Sequence, residues 1–308
     1  MIHTLTELLA MSVALGLPIM VAAAAEAVSE RAGVLNMSVE GMMVTGCLAG
    51  VLAAVATGSP WTGLAAGTAA GVLVGVLQGL LSVTWRADQI VTGLALNTLA
   101  LSGTVFAARL LLDRDTVTPG FDRAALPLLS DLPVLGRALF SLPAPGYLLI
   151  GAVVALTLLT SRRTAWGLAV DATGEDAVKA DRAGLPVARI RHLAVLLVGG
   201  AGGLAGAYIA LAQVKTFTDH MTAGVGYLAV VAVIAARWRT GRVAAVALVF
   251  GAAQALRFTL PALGVALPAA LLVALPYLLA LAAVAGLVSG SRRPSDLTVP
   301  FVRAGRTG

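Results

Sequence analysis

Nearly every stretch of this chain that is long enough to cross a bilayer is apolar, and that one property removes most architectures. With charges and prolines setting the ends, apolar segments fall at 5–27, 37–57, 61–83, 89–112, 146–160, 191–213, 222–236, 241–258 and 268–289. A helix needs about 20 apolar residues to cross a hydrocarbon core of roughly 30 Å, so about nine helical spans are predicted. A tenth, re-entrant segment around 26–36 is left open. Only 12% of the residues are charged, against about 25% in soluble proteins, and the mean hydropathy is +0.94. The segments lack the two-residue alternation of an outer-membrane barrel. Because lipid cannot satisfy backbone groups, the fold class is all-α, a polytopic helical membrane protein of nine to ten spans. Segments 146–160 and 222–236 are short for straight spans, and short or interrupted segments flank solute sites in transporters.

The loops alternate sides. Placing the loop around Trp166 inside puts 29–36, 84–88, 161–190, 237–240 and the tail from Gly290 on the same side. Fifteen Lys and Arg residues then lie inside. Six lie outside: Arg109, Arg114, Arg123, Arg137, Lys215 and Arg257. This bias follows the positive-inside rule. The net charge of +6 is therefore a topology signal, and no soluble basic face exists for nucleic acid. The first segment lacks a basic region before it and a cleavage site after it, so it reads as a retained span. The lone cysteine, Cys47, reads as an apolar packing residue.

Enzymatic chemistry finds little support. The two lysines, Lys179 and Lys215, do not follow glycine, so the Gly-Lys pair of a phosphate-cradling loop is missing. His3, His192 and His220 are scattered, leaving no zinc spacing. Ser289 lacks the flanking pattern of a nucleophile elbow. No cofactor or metal is expected. The run around Gly199, Gly202, Gly203 and Gly206 gives two overlapping small-xxx-small pairs, which let helices pack closely in lipid.

Polar side chains within apolar spans usually face a bundle interior or a water-filled path. The candidates are Glu26, Asn36, Glu40, Gln78, Gln89, Asn97, Gln213 and Gln254. Glu40 lies four residues after Asn36, so the two could share a helical face and line a path for a polar solute. The plainer alternative is that Asn36 caps the helix while Glu40 bonds nearby backbone at its positive end. Asn97 divides in the same way between path and packing.

One ordered polar block interrupts the apolar pattern, between Trp166 and Pro186. Thr173 can cap, Glu175 and Asp176 fall in a first turn, Lys179 and Arg182 lie toward the end, and Gly184 with Pro186 stops the helix. A helix of about nine residues is predicted there, within a cytoplasmic loop at 161–190. The outer loop, 113–145, holds Pro119, Pro127, Pro133, Pro143 and Pro145. It reads equally as a tether or as a docking surface.

Four ordered motifs resemble a known family. Glu30-Arg31-Ala32-Gly33-Val34-Leu35-Asn36-Met37-Ser38-Val39-Glu40-Gly41-Met42-Met43 is similar to the signature of permease subunits in ABC importers of the branched-chain amino acid, ribose and nucleoside superfamily. Ala87-Asp88-Gln89-Ile90-Val91-Thr92-Gly93 with Asn97 resembles an element of its nucleoside (simple sugar/nucleoside) branch. The stretch from Gly174-Glu175-Asp176 to Ala183-Gly184-Leu185 resembles its coupling loop, and Leu275-Pro276-Tyr277 its terminal element. The likeness runs from about Glu30 to Gly286.

The resemblance implies a type II ABC importer-like permease, a single transmembrane domain over 1–308 in a bacterial cytoplasmic (inner) membrane, moving nucleosides or related purine and pyrimidine compounds. It implies a separate cytoplasmic ABC ATP-binding protein, an extracytoplasmic solute-binding protein or lipoprotein, and a second permease in a heterodimer, all with membrane lipid around the permease pair. ATPase-coupling positions carry over to Gly174, Glu175, Asp176, Lys179, Asp181, Arg182 and Gly184; the pathway candidates remain Asn36, Glu40, Gln89 and Asn97, from their polar side chains within apolar spans. Two departures stand out: Asp171 where arginine is common, and Asp176-Ala177 in place of Asn-Pro. A simple-sugar importer shares this architecture. An ion-coupled transporter would need no motor chain.

Overall fold

A computed structural model describes residues 2–113, 116–124, 130, 135–265, 267–287 and 293–303. Arg114, Pro127, Pro133, Ser289, Arg292 and Arg306, with part of the 113–145 loop, lie outside the described residues. In chain order the helices are α1 (Ile2–Arg31), α2 (Val39–Thr57), α3 (Pro60–Gly79), α4 (Gln89–Leu111), α5 (Leu135–Phe140), α6 (Ala144–Leu159), α7 (Ala165–Glu175), α8 (Ala177–Arg182), α9 (Val187–Tyr208), α10 (Val225–Ala235), α11 (Thr240–Ala262) and α12 (Ala269–Leu287). Wide π turns extend α3 through Leu80–Thr84 and α9 through Ile209–Val214. All nine apolar segments are helical. Seven are long and apolar enough to span a membrane, while Ala144–Leu159 and Val225–Ala235 are shorter. These two helices have 16 and 11 residues where a straight crossing needs about 20, so among the described residues seven spans meet the length and the expected nine to ten are not confirmed.

In chain order the helices fall into two halves. In each half a 28-residue apolar helix, Thr4–Arg31 or Val187–Val214, is followed by an unwound stretch and three further helices. α1 packs along α11, α3 packs along α9, and α1 crosses α9 between the halves. The glycine contacts follow the same exchange. Gly251 lies against Ser12 and Gly16 of α1, and Gly71 of α3 lies against Gly199 and Gly203 of α9. A Cβ at Gly71 would strike the Gly199 carbonyl, so these helices meet at backbone distance, as small-residue interfaces in lipid do.

One end of the bundle gathers Arg31, Thr84, Asp171, His192 and Trp238, through Arg31–Asp171, Thr84–His192 and Trp238–Glu30 contacts. The other gathers Arg109 with Asp219, Asp122 with Lys215, and Trp61 with Phe121. These contacts thus gather at two ends of the bundle. α4 and α12 present the most exposed apolar surface, including Val91, Leu99, Phe106 and Leu281, as lipid-facing helices of a multi-pass membrane protein do.

α1 reaches Arg31, beyond the expected end at 27. Glu26 and Glu30 look like span-ending charges, but both are fully buried. Glu26 Oε1 accepts from the Asn36 N–H at 2.8 Å, and Glu30 Oε2 accepts from Trp238 Nε1 at 2.5 Å.

Candidate functional site

Two polar assemblies stand out. The first is where the unwound stretches of the two halves meet. After Arg31 the chain turns at Gly33 and re-enters the bundle, so that Asn36 lies beside Glu26, more than a helical turn back along α1. Non-helical backbone at this depth must be satisfied by protein. The four pathway candidates, all buried, supply the partners. Gln89 Oε1 accepts from the Leu35 N–H at 2.8 Å. Asn36 Oδ1 accepts from the N–H and the hydroxyl of Ser38, at 3.0 and 2.6 Å. Asn97 Oδ1 accepts from the Gly41 N–H at 2.6 Å, while its Nδ2 donates to the Met37 carbonyl at 2.5 Å and the Tyr227 hydroxyl at 3.0 Å.

Glu40 carries the connection between halves. Its Oε1 accepts from Thr222 Oγ1 at 2.6 Å and the Gly224 N–H at 2.8 Å, and its Oε2 accepts from the Gly226 N–H at 2.6 Å. A carboxylate from α2 therefore caps the positive end of α10, more than 180 residues away. This corrects both sequence expectations for Asn36 and Glu40. Asn36 precedes the helix, which starts at Val39, so the two share no helical face. Glu40 bonds a distant helix end rather than its own, because the unwound stretch 215–224 brings α10 to begin beside α2.

The second assembly is the polar block, which forms two helices rather than the single one expected. Thr164 caps α7 by accepting from the Gly167 N–H. Thr173, expected as a cap, lies inside α7 and donates to the Ala169 carbonyl. Asp176 leaves helical geometry and caps α8 by accepting from the Lys179 N–H at 2.8 Å. That bond and the Lys179 ammonium at 2.9 Å hold its carboxyl below the usual carboxylate range. Glu175 is thus the last residue of α7. Glu175, Lys179, Arg182 and Gly184 are exposed, Asp176 and Asp181 partly so, and Gly184 ends α8 with φ near +89°. Gly174 is buried, and a Cβ there would collide with the Arg31 carbonyl.

Sequence reasoning missed what ties this surface down. Asp171 bridges Arg31 at 2.7 Å and Arg162 at 2.9 Å, so the departure from arginine creates a link to the end of α1. The tail, read only as a charge signal, straps over α8. Asp296 donates its N–H to the Gly174 carbonyl at 2.8 Å and accepts from the Ala177 N–H at 2.7 Å. Thr298 N–H donates to the Gly33 carbonyl, Arg303 pairs with Asp181 at 3.2 Å, and Arg191 donates to the Ala32 and Val299 carbonyls. α8, the tail and the turn that leads to Glu40 are thereby one bonded unit. Among the described residues no cluster of metal-ligating side chains occurs.

The sequence pattern of the family described as "Branched-chain amino acid transport system / permease component" matches residues 8–284. The chain belongs to this family. The permease is similar to the putative glucose ABC transporter permease protein TsgC13 of Haloferax volcanii, 35% identical over 81% of this chain and 76% of the relative. It is 30% identical to the guanosine ABC transporter permease protein NupQ of Bacillus subtilis, over 94% of each chain. Against the nucleoside ABC transporter permease protein NupC of Lactococcus lactis the identity is 30%, over 68% of this chain and 69% of the relative. It is an ABC transporter permease, a transport component.

Proposed function

We propose that this permease imports nucleosides or related purine and pyrimidine compounds across a bacterial cytoplasmic membrane. The observation that carries the reading is the end-to-end similarity to a guanosine permease, over 94% of both chains. The charge bias supports a cytoplasmic side carrying 161–190 and an outer side carrying 113–145. ATP hydrolysis belongs to a separate cytoplasmic chain, a solute-binding protein or lipoprotein delivers from outside, and a second, different permease completes the pathway.

In this reading α7 and α8 are the coupling surface. Glu175, Asp176, Lys179, Asp181, Arg182 and Gly184 face the motor, and Gly174 lets the pair sit against α1. Movement of α8 on ATP binding passes through Asp296 and Thr298 to Gly33, and from there along the re-entrant chain to Glu40 and α10. Alternating access then follows from a two-state rearrangement between the halves. Asn36, Glu40, Gln89 and Asn97 serve the pathway by holding that junction. Glu175→Lys abolishes uptake while assembly with the partner permease persists. Normal uptake in that variant overturns the coupling assignment.

A sugar importer is the second reading, favoured by 35% identity to the putative glucose permease. Uptake of labelled uridine and adenosine by cells with and without this chain, the other components present and ribose in excess, separates the two. Uptake that needs the chain and ignores ribose supports nucleosides. Uptake blocked by ribose, or labelled ribose entering alone, supports sugars.

A further inference from the structure

At the end of the bundle opposite α7 and α8 lies a cavity of about 640 Å³, within the 300–1,000 Å³ typical of small-molecule sites. α1, the end of α9, α11, α12 and the segment at Phe121 enclose it, and Thr222 and Ala223 line it where α10 begins. It therefore sits where α10 begins within the bundle, and interrupted helices flank solute sites in transporters.

The chemistry of the lining selects the solute. α10 would normally offer its positive end to an anion, but here the Gly224 and Gly226 N–H groups are taken by the Glu40 carboxylate. The end of α10 therefore offers a solute no free donors, and Arg123 and Arg257 are the remaining charges of the lining. Asp122 and Lys215 neutralise each other at 2.6 Å. The Arg257 guanidinium lies over the Phe258 ring, 4.6 Å from its centre, and makes with it a flat surface. Phe121 and Tyr277 add aromatic area. Gln213 donates to the Ala14 carbonyl at 2.7 Å. Gln254 differs: its Nε2 is buried and has no partner among the described residues. An unpaired buried amide costs free energy unless something bonds it.

We infer that this cavity is a solute site within the protomer, and that it takes a planar nitrogen heterocycle, the base of a nucleoside. Gln254 bonds the polar edge of the base and the Phe258–Arg257 surface stacks its face. A bare hexose, with hydroxyls on every side, would find one unpaired amide and largely apolar walls. Stacking on aromatic side chains suits every nucleobase, so specificity among bases falls to Gln254. This rests on the nucleoside reading above.

The test is uptake kinetics in vesicles containing the complete transporter, for Gln254→Leu and Phe258→Leu beside the unaltered protein. Gln254→Leu raises KM for labelled nucleoside about tenfold, the loss of one hydrogen bond in binding, with the maximal rate within about twofold of the original. Phe258 is exposed, so its replacement leaves folding intact and raises KM in the same direction. Free nucleobase competes in the unaltered protein more strongly than ribose. Nucleoside uptake with unchanged KM in both variants overturns this site and leaves the nucleoside reading standing. Uptake of sugars but not nucleosides by the unaltered protein overturns both.

Discussion

At the junction of α2 and α10 the polar side chains are buried and bonded to backbone, whereas on the α7–α8 surface charged groups are exposed and bonded largely to one another. Glu40 is 3% exposed and accepts three hydrogen bonds from one distant turn. The Arg162 side chain, by contrast, is 84% exposed beside Asp171. Buried acceptors cost much when lost because their donors stay dry, while exposed pairs are replaced by water. The first region therefore carries stability, and the second is free to meet a partner.

Replacing Glu40 is the strongest way to break that contrast. Glu40→Ala strands the Thr222 hydroxyl and the Gly224 and Gly226 amides, and is expected to cost on the order of 4 kcal/mol, read as a large fall in the unfolding midpoint in detergent. Asn97→Leu removes the partners of Gly41 and Met37, for about 2 kcal/mol by the same measurement. Gly174→Ala sharpens the comparison from the other side. Its Cβ pushes α7 off the Arg31 carbonyl, costing about 1–2 kcal/mol but most of the uptake. Asp296→Ala removes the acceptor of the Ala177 N–H and loosens the tail from α8 for about 1 kcal/mol, with uptake reduced while the partner permease still co-purifies.

The smallest effect concerns pH. The Lys179 amide and ammonium lower the pKa of Asp176, so its folded value lies below its unfolded one. Its contribution is then complete above the unfolded value of about 4 and is lost only as pH falls through the lowered folded value. Melting curves of the unaltered protein and Asp176→Ala should therefore differ by the same small amount from pH 8 to pH 5.

Apolar runs placed the seven long helices and the two shorter apolar ones, because that signal is local and repeated. The end of α1 was misread because Glu26 and Glu30 look like span boundaries, and their partners Asn36 and Trp238 become neighbours only in the fold. Asp176 was read as a first-turn acid rather than as a cap, which hid the division into α7 and α8. Asp296 and Thr298 were invisible for a different reason: their partners include the carbonyls of Gly174 and Gly33, and a backbone carbonyl has no sequence signature. The pathway candidates were found by the cost of polar groups in lipid, but that cost is met equally by a solute or by unwound backbone.

The most direct measurement compares Glu40→Gln and Glu175→Lys in one reconstituted transporter, scoring thermal unfolding and ATP-driven uptake of guanosine together. The account predicts that Glu40→Gln lowers the melting temperature by several degrees, while Glu175→Lys melts like the unaltered protein and takes up nothing. A stable Glu40→Gln protein, or a Glu175→Lys protein with full uptake, would contradict it.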